Sequence, residues 1–283
     1  MVEKKISIYE EEFDIEAPFN SDQLVLEVSN CHVALMVKYS GKKFVGSFEL
    51  FQFDSNEMDW YTIFQQIRTE SIILDRSYND SRVFFNFNEA VVIPANAFST
   101  SSAEAYLTTI HGDNTNHAVK YDNINVAAGL VNVYRVKRSL NDMVNSNLMM
   151  VTPRHMYSKV LENILNNAAV LNGVFLKLQF FYKMMLVVLV KDGKLFLIQS
   201  YAHQTADDVL YYLLNIAEQF QLSTTDTNVE VSGIIDVKSH EFDFIEKLFK
   251  KISFTELEAD NTFRNSAVDY PQHFFTPFLN LTV

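Results

Sequence analysis

The chain has one cysteine, five prolines and seven glycines in 283 residues, and each scarcity closes a route. Cys31 alone cannot form an intrachain disulfide, which points to a reducing cytoplasm rather than a secreted, cross-linked fold. Scarce glycine argues against loops that bring backbone close to phosphate, because such approaches need a residue without a Cβ. Lysine and arginine are outnumbered 23 to 35 by aspartate and glutamate, for a net charge of −12 and a pI near 5.0. No run of lysine or arginine is longer than the pairs Lys4-Lys5, Lys42-Lys43 or Lys250-Lys251, too short to track a phosphate backbone, so no nucleic acid is expected as a partner. Long hydrophobic runs are missing as well. The most apolar region, Val174 to Val190, is broken by Lys177 and Lys183 and closed by Lys191-Asp192. A membrane helix needs about 20 mostly apolar residues, so buried strands and no membrane insertion are expected. Met1 to Phe13 runs from Lys4-Lys5 into Glu10, Glu11 and Glu12 without an apolar stretch, which does not read as a signal peptide.

Catalytic signatures are absent too. There is no P-loop, G-x-S-x-G, H-E-x-x-H, C-x-x-C or G-x-G-x-x-G. The seven histidines (His32, His111, His117, His155, His203, His240 and His273) are scattered. His111 and His117 fall in a polar stretch expected to be a solvated excursion, without the further ligands a metal site needs. Cys31 and His32 are neighbours, and on a strand they would point to opposite faces, which works against a nucleophile–base pair. No catalytic residue and no metal site are expected.

What the chain does have is 48% hydrophobic residues, with 24 Phe and 13 Tyr, enough for two domains or one duplicated domain. Its best-formed stretch is Gly173 to Leu222. Phe175–Phe181, Met184–Val190 and Lys194–Tyr201 read as strands, the last two joined by the turn Lys191-Asp192-Gly193. A helix over Asp207–Leu222 follows, capped by Thr205 with Asp208, its apolar face made of Val209, Tyr212, Leu213, Ile216 and Phe220. An earlier stretch has the same form. After an edge strand with Ile6, Ile8 and Phe13 and a loop through Ala17-Pro18, Leu24, Leu26 and Val28 alternate with polar residues. His32–Tyr39, a turn at Ser40-Gly41 and Phe44–Phe53 follow. Asp54 with Glu57 resembles a capping box ahead of a helix carrying Trp60, Ile63, Phe64 and Ile67. Val83–Phe87 and Ala90–Ile93 read as strands, 99–125 as a polar insertion with a short helix around Ala103–Ile110, and Val131–Val136 as a strand. Leu140–Met149 is expected helical, Met150–Thr152 a strand, and Met156–Leu171 a helix stopped by Gly173. Later come a strand over Val229–Val237, a helix from Ser239 whose last turn holds Lys250 and Lys251, a strand over Phe254–Leu257, and an apolar tail, Phe274–Val283, that docks back.

Shifting the first stretch by 152 residues, the separation of Gly41 and Gly193, superposes Leu24, Leu26 and Val28 on Leu176, Leu178 and Phe180, and Trp60 on Tyr212. Past the helix, Ala90–Ile93 is matched to Gly233–Asp236. Each half then reads β-β-β-α-β-α, a mixed α/β chain with domains at 1–150 and 151–283. Duplicated meanders of this kind resemble the actin-like ATPase (ribonuclease H-like) fold of actin, Hsp70 and the sugar kinases. The chain also resembles an uncharacterised bacterial family, domain-of-unknown-function family 3822. That resemblance is carried by Val133-Tyr134-Arg135-Val136-Lys137-Arg138-Ser139-Leu140, by Gln199-Ser200-Tyr201 with Asp207–Leu214, and by Val229-Glu230-Val231-Ser232-Gly233.

In active members of the actin-like fold the first hairpin of each half carries an Asp-x-Gly-Ser/Thr loop for Mg²⁺ and phosphate. The resemblance puts Glu27 at the Asp position, Ser29 at the Gly position and Asn30 at the Ser/Thr position. In the second hairpin, Gln179-Phe180-Phe181-Tyr182 offers aromatics and no carboxylate, and Gly233-Ile234 keeps half of an adenosine-loop Gly-Gly. Ile93-Pro94-Ala95 is similar to a structural strand end of Hsp70-like proteins. The expectation is a cytoplasmic, catalytically inactive scaffold or protein-interaction module without a cofactor, with an unidentified protein partner and homodimerisation open. The alternative is a Mg-ATP sensor or ATPase with a non-standard phosphate loop, using Glu27, Ser29, Asn30 and Gly233. A hydrolase built from groups distant in sequence is a third reading.

Overall fold

Alternating apolar residues need a partner layer, and the helices supply it. The computed structural model describes residues 1–10, 20–39, 45–54, 58–167, 170, 172–256, 263 and 270–283. The expectations at Phe13, Ala17-Pro18, Ser40-Gly41, Phe44, Glu57, Leu171 and Leu257 lie outside them. Two compact units form, one mainly Met1–Glu162 with Leu281–Val283, the other mainly Asn163–Leu257 with Tyr270–Asn280.

The first unit runs β1 (Glu3–Tyr9), β2 (Asn20–Ser29), β3 (His32–Lys38), β4 (Val45–Gln52), α1 (Trp60–Glu70), β5 (Tyr78–Asn86), β6 (Ala90–Pro94), α2 (Ala103–His111), β7 (His117–Ile124), β8 (Leu130–Lys137), α3 (Arg138–Asn147), β9 (Val151–His155) and α4 (Met156–Leu165). Six strands make one sheet in the order β1-β4-β3-β2-β5-β9, with β2, β5 and β9 parallel. The remaining three form a separate sheet, β6-β8-β7. Leu24, Leu26 and Val28 share a face with Val33, Leu35 and Val37, and that face packs on Trp60, Ile63, Phe64 and Ile67 of α1. The helix is opened not by Asp54 but by Asp59, whose Oδ1 accepts from the Thr62 N–H at 2.9 Å. The second half of the expected excursion is no loop, since it forms β7 against β8. His111 and His117 are accordingly half-buried rather than solvated, and burial lowers the His117 pKa. α4 stops at Leu165, well short of Gly173, which instead immediately precedes the next strand at φ +78°.

A buried polar cluster joins the smaller sheet to the corner between β9 and α4. The Asp122 carboxylate accepts from the His155 backbone N–H (2.7 Å), Ser158 Oγ (2.7 Å) and Tyr134 Oη (3.2 Å). The His155 ring is fixed as a neutral tautomer: Nε2–H donates to the Phe87 carbonyl and Nδ1 accepts from the Tyr157 N–H, both at 3.1 Å. Burial pushes its pKa down from 6.5 to about 3, against the small upward pull of the Phe87 carbonyl. Between those values the unfolded chain takes up a proton that the native ring refuses, so this residue removes stability as pH falls from about 6.5 toward 3. Urea unfolding of His155→Gln against pH is expected to show the loss of that one-proton slope, about 1.4 kcal/mol per pH unit.

The second unit runs β10 (Val174–Phe181), β11 (Met184–Lys191), β12 (Lys194–Ala202), α5 (Ala206–Gln219), β13 (Asn228–Gly233), α6 (His240–Leu248), β14 (Lys251–Phe254) and α7 (Thr276–Leu279). Asp192 at φ +47° and Gly193 at φ +72° make the two-residue turn between β11 and β12, as the right-handed twist of a tight hairpin requires. Thr205 and Asp208 form the capping box on α5. Lys177, which interrupts the apolar run, is buried and bonded to Glu230 and Thr255. α6 starts after the Ser239 cap but ends at Leu248, so Lys251 opens β14 rather than finishing the helix. The part of the tail in this unit is buried through Phe275, Phe278 and Leu279.

The sheet order is β12-β11-β10-β13-β14, which repeats β4-β3-β2-β5-β9 with the same parallel pairs. β5 is therefore the counterpart of β13. Ala90–Ile93, matched to Gly233–Asp236 from sequence, belongs instead to the three-stranded sheet. The register slipped because 90–137 is an insertion whose first strand is as apolar as the strand it was mistaken for.

Candidate functional site

The β2–β3 hairpin is where the resemblance to actin-like ATPases would put a phosphate loop. Val28 pairs with Val33, so the tight turn is Asn30-Cys31, and Glu27, Ser29 and His32 share the face opposite Val28 and Val33. Glu27 is fully buried. Its Oε2 lies 2.7 Å from His32 Nε2, and its Oε1 accepts from Asn86 Nδ2 at 2.7 Å. Asn86 is at the end of β5, beside Ser29. Ser29 Oγ sits at the centre of the turn. It accepts from the backbone N–H groups of Cys31 (3.3 Å) and His32 (3.0 Å) and lies 2.7 Å from His32 Nδ1. Asn30 is exposed at the tip.

Burial is the largest single influence on His32 and would by itself strip its proton, but the Glu27 carboxylate and the contact with Cys31 together outweigh it and raise the pKa to about 10. His32 is thus an imidazolium at neutral pH, held between Glu27 and Ser29. Cys31 and His32 do not diverge as expected of a strand, because Cys31 lies in the turn and its Sγ comes to 3.8 Å from His32 Nδ1. Sequence reading missed His32 and Asn86 as partners of Glu27. The signal for His32 was available in the pattern: polar residues at 27, 29 and 32 around a two-residue turn all fall on one face once Val28 is set opposite Val33.

In the second unit the equivalent hairpin ends in Phe180 and Phe181, both buried. Phe181 packs edge-on against Phe278 at 5.7 Å between centroids, and Phe180 against His203 at 6.1 Å. Gly233 belongs to this unit, at the end of β13, with φ +89°. A Cβ there would stand 1.9 Å from the Phe180 carbonyl oxygen, which bonds the Ile234 N–H at 2.9 Å. So Glu27, Ser29 and Asn30 come together in one hairpin, while Gly233 is held by its own sheet. Among the described residues no group of three or more His, Cys, Asp or Glu is arranged to hold a metal. Among the described residues no helix is long and apolar enough to cross a membrane.

Comparison with solved structures gives the fold. A Bacteroides thetaiotaomicron protein with an actin-like ATPase fold and unknown function superposes with a TM-score of 0.74 at 16% identity, covering 86% of this chain and 93% of that one. The PilM–PilN type IV pilus biogenesis complex contains a chain that matches with a TM-score of 0.62 at 12% identity, covering 92% of this chain and 97% of that one. No curated protein matches. The fold is actin-like. The family model described as "Protein of unknown function (DUF3822)" matches residues 11–252, and the chain belongs to that family.

Proposed function

We propose that this protein is a cytoplasmic, non-enzymatic actin-like module that acts through contact with another protein rather than through a nucleotide. The observation that carries this reading is the state of Glu27. A carboxylate that positions Mg²⁺ must present oxygen to solvent or ligand, whereas here Oε1 is bonded to Asn86 and Oε2 is paired with a protonated His32, with no exposed surface left. A magnesium–phosphate group does not fit that donor set. The second hairpin supports the same reading, since Phe180 and Phe181 are packed where a phosphate would need open space. Gly233 is accounted for by its approach to the Phe180 carbonyl, with no need of an adenosine.

A neighbour of the same fold that is found in a complex with a second protein, PilM with PilN, supports a contact role by analogy of fold. Isothermal calorimetry with MgATP, MgADP and MgGTP is expected to give no binding heat. Micromolar binding abolished by Glu27→Ala would overturn the proposal and establish the nucleotide reading, with Glu27, Ser29, Asn30 and Gly233 as its residues.

A further inference from the structure

The first unit holds a cavity of about 90 Å³ away from the hairpin just described. Its wall comes from α1, the connection from α1 to β5, the start of β5 and the end of α3. One side is cationic, with Arg68 in the last turn of α1 and Arg76 just before β5. No aspartate or glutamate lines it, in a chain that is otherwise strongly acidic. Among the described residues Arg68 has no hydrogen-bonding or ion-pairing partner, although it faces a cavity. Arg76 is held in place. Its side chain is only 7% exposed, its Nη2 is 3.8 Å from Asp22 Oδ2, and its guanidinium lies 5.9 Å from the centre of the Tyr78 ring. Away from the arginines the wall is mixed, with Leu24, Phe64 and Leu148 as an apolar face, Met149 exposed beside them, and Ser77, Ser81 and Asn147 as polar neighbours.

We infer that this cavity binds a small organic monocarboxylate with an apolar body, its carboxylate between Arg68 and Arg76 and its hydrocarbon on Leu24, Phe64 and Leu148. The two guanidinium groups offer planar donor forks matched to a carboxylate. Asp22 already neutralises part of the charge on Arg76, which suits a single negative charge better than a phosphate dianion. Inorganic phosphate would also leave the apolar wall uncovered, and a neutral amide would leave Arg68 without a counter-charge.

Methyl-¹³C-methionine labelling of the full chain provides a reporter at the rim, the Met149 methyl, assigned with Met149→Leu. Titration with isovalerate is expected to shift that resonance saturably in the millimolar range. Isovaleramide and inorganic phosphate should bind at least tenfold more weakly. Arg68→Gln, at an exposed position without a native partner, should leave the spectrum of the folded chain intact and weaken isovalerate at least fivefold. The inference fails if isovalerate gives no saturable shift, if the amide or phosphate binds as well, or if Arg68→Gln binds isovalerate unchanged.

Discussion

Glu27→Ala is expected to destabilise the first unit by about 3–5 kcal/mol at neutral pH, because it strands a buried imidazolium that has no route to water. The sole tryptophan, Trp60, is buried in the core of this unit and reports its unfolding directly. The pH dependence identifies the cause. His32 has a native pKa raised from 6.5 to about 10, so the stability it contributes is fully present below pH 6.5 and is lost as pH rises through 10. The gap between wild type and variant should therefore be widest at pH 6 and narrow toward pH 10. Replacing both partners with apolar residues, Glu27→Met with His32→Leu, should cost less than Glu27→Ala alone, since no charge is then left buried. A cost below about 1 kcal/mol at every pH would mean that the carboxylate is free to move, and would remove the main support for the inactive hairpin.

Gly233→Ala is the second large effect, roughly 4 kcal/mol or more. The added methyl would stand 1.9 Å from the Phe180 carbonyl oxygen, a backbone atom fixed by the β10–β13 pairing, so neither side can yield without breaking the ladder. Gly173→Ala is the control in the same unit. Gly173 has φ +78° but nothing within 4 Å of its virtual Cβ, so its replacement should cost only the left-handed strain, about 1–2 kcal/mol. Thermal unfolding and amide exchange across β10 and β13 would compare the two. Equal stability of the variants would show that Gly233 is not held by Phe180 and would reopen a ligand role for it.

Much of the fold was legible because its signals are local. Leu24, Leu26 and Val28 alternate, Asp192-Gly193 demands a tight hairpin, and Thr205 with Asp208 marks a helix start; each depends on a few neighbouring residues. Pairings across an insertion were not legible. Nothing in Val83–Phe85 says that it, rather than Val91–Ile93, lies parallel to β2, because both are short apolar strands and only tertiary pairing separates them. The candidate site divides the same way. The hairpin position could be read, and so could the loss of its glycine, but the buried state of Glu27 depends on Asn86, which the sheet brings in from β5. The cavity with Arg68 and Arg76 left no trace in the sequence, as two isolated arginines in an acidic chain read as ordinary surface.

β5 and β9 lie side by side in parallel, although β6, α2, β7, β8 and α3 all separate them in sequence. Closing so long a loop is entropically slow, whereas β7 and β8 form a local hairpin that can assemble early. The inserted sheet thus shortens the effective loop, because once it is folded its two ends emerge near each other and deliver β9 to the edge of β5. Asp122, bonded to the His155 backbone, sits at that junction. Refolding is therefore expected to be two-phased, with the insertion gaining structure before the large sheet acquires its last strand.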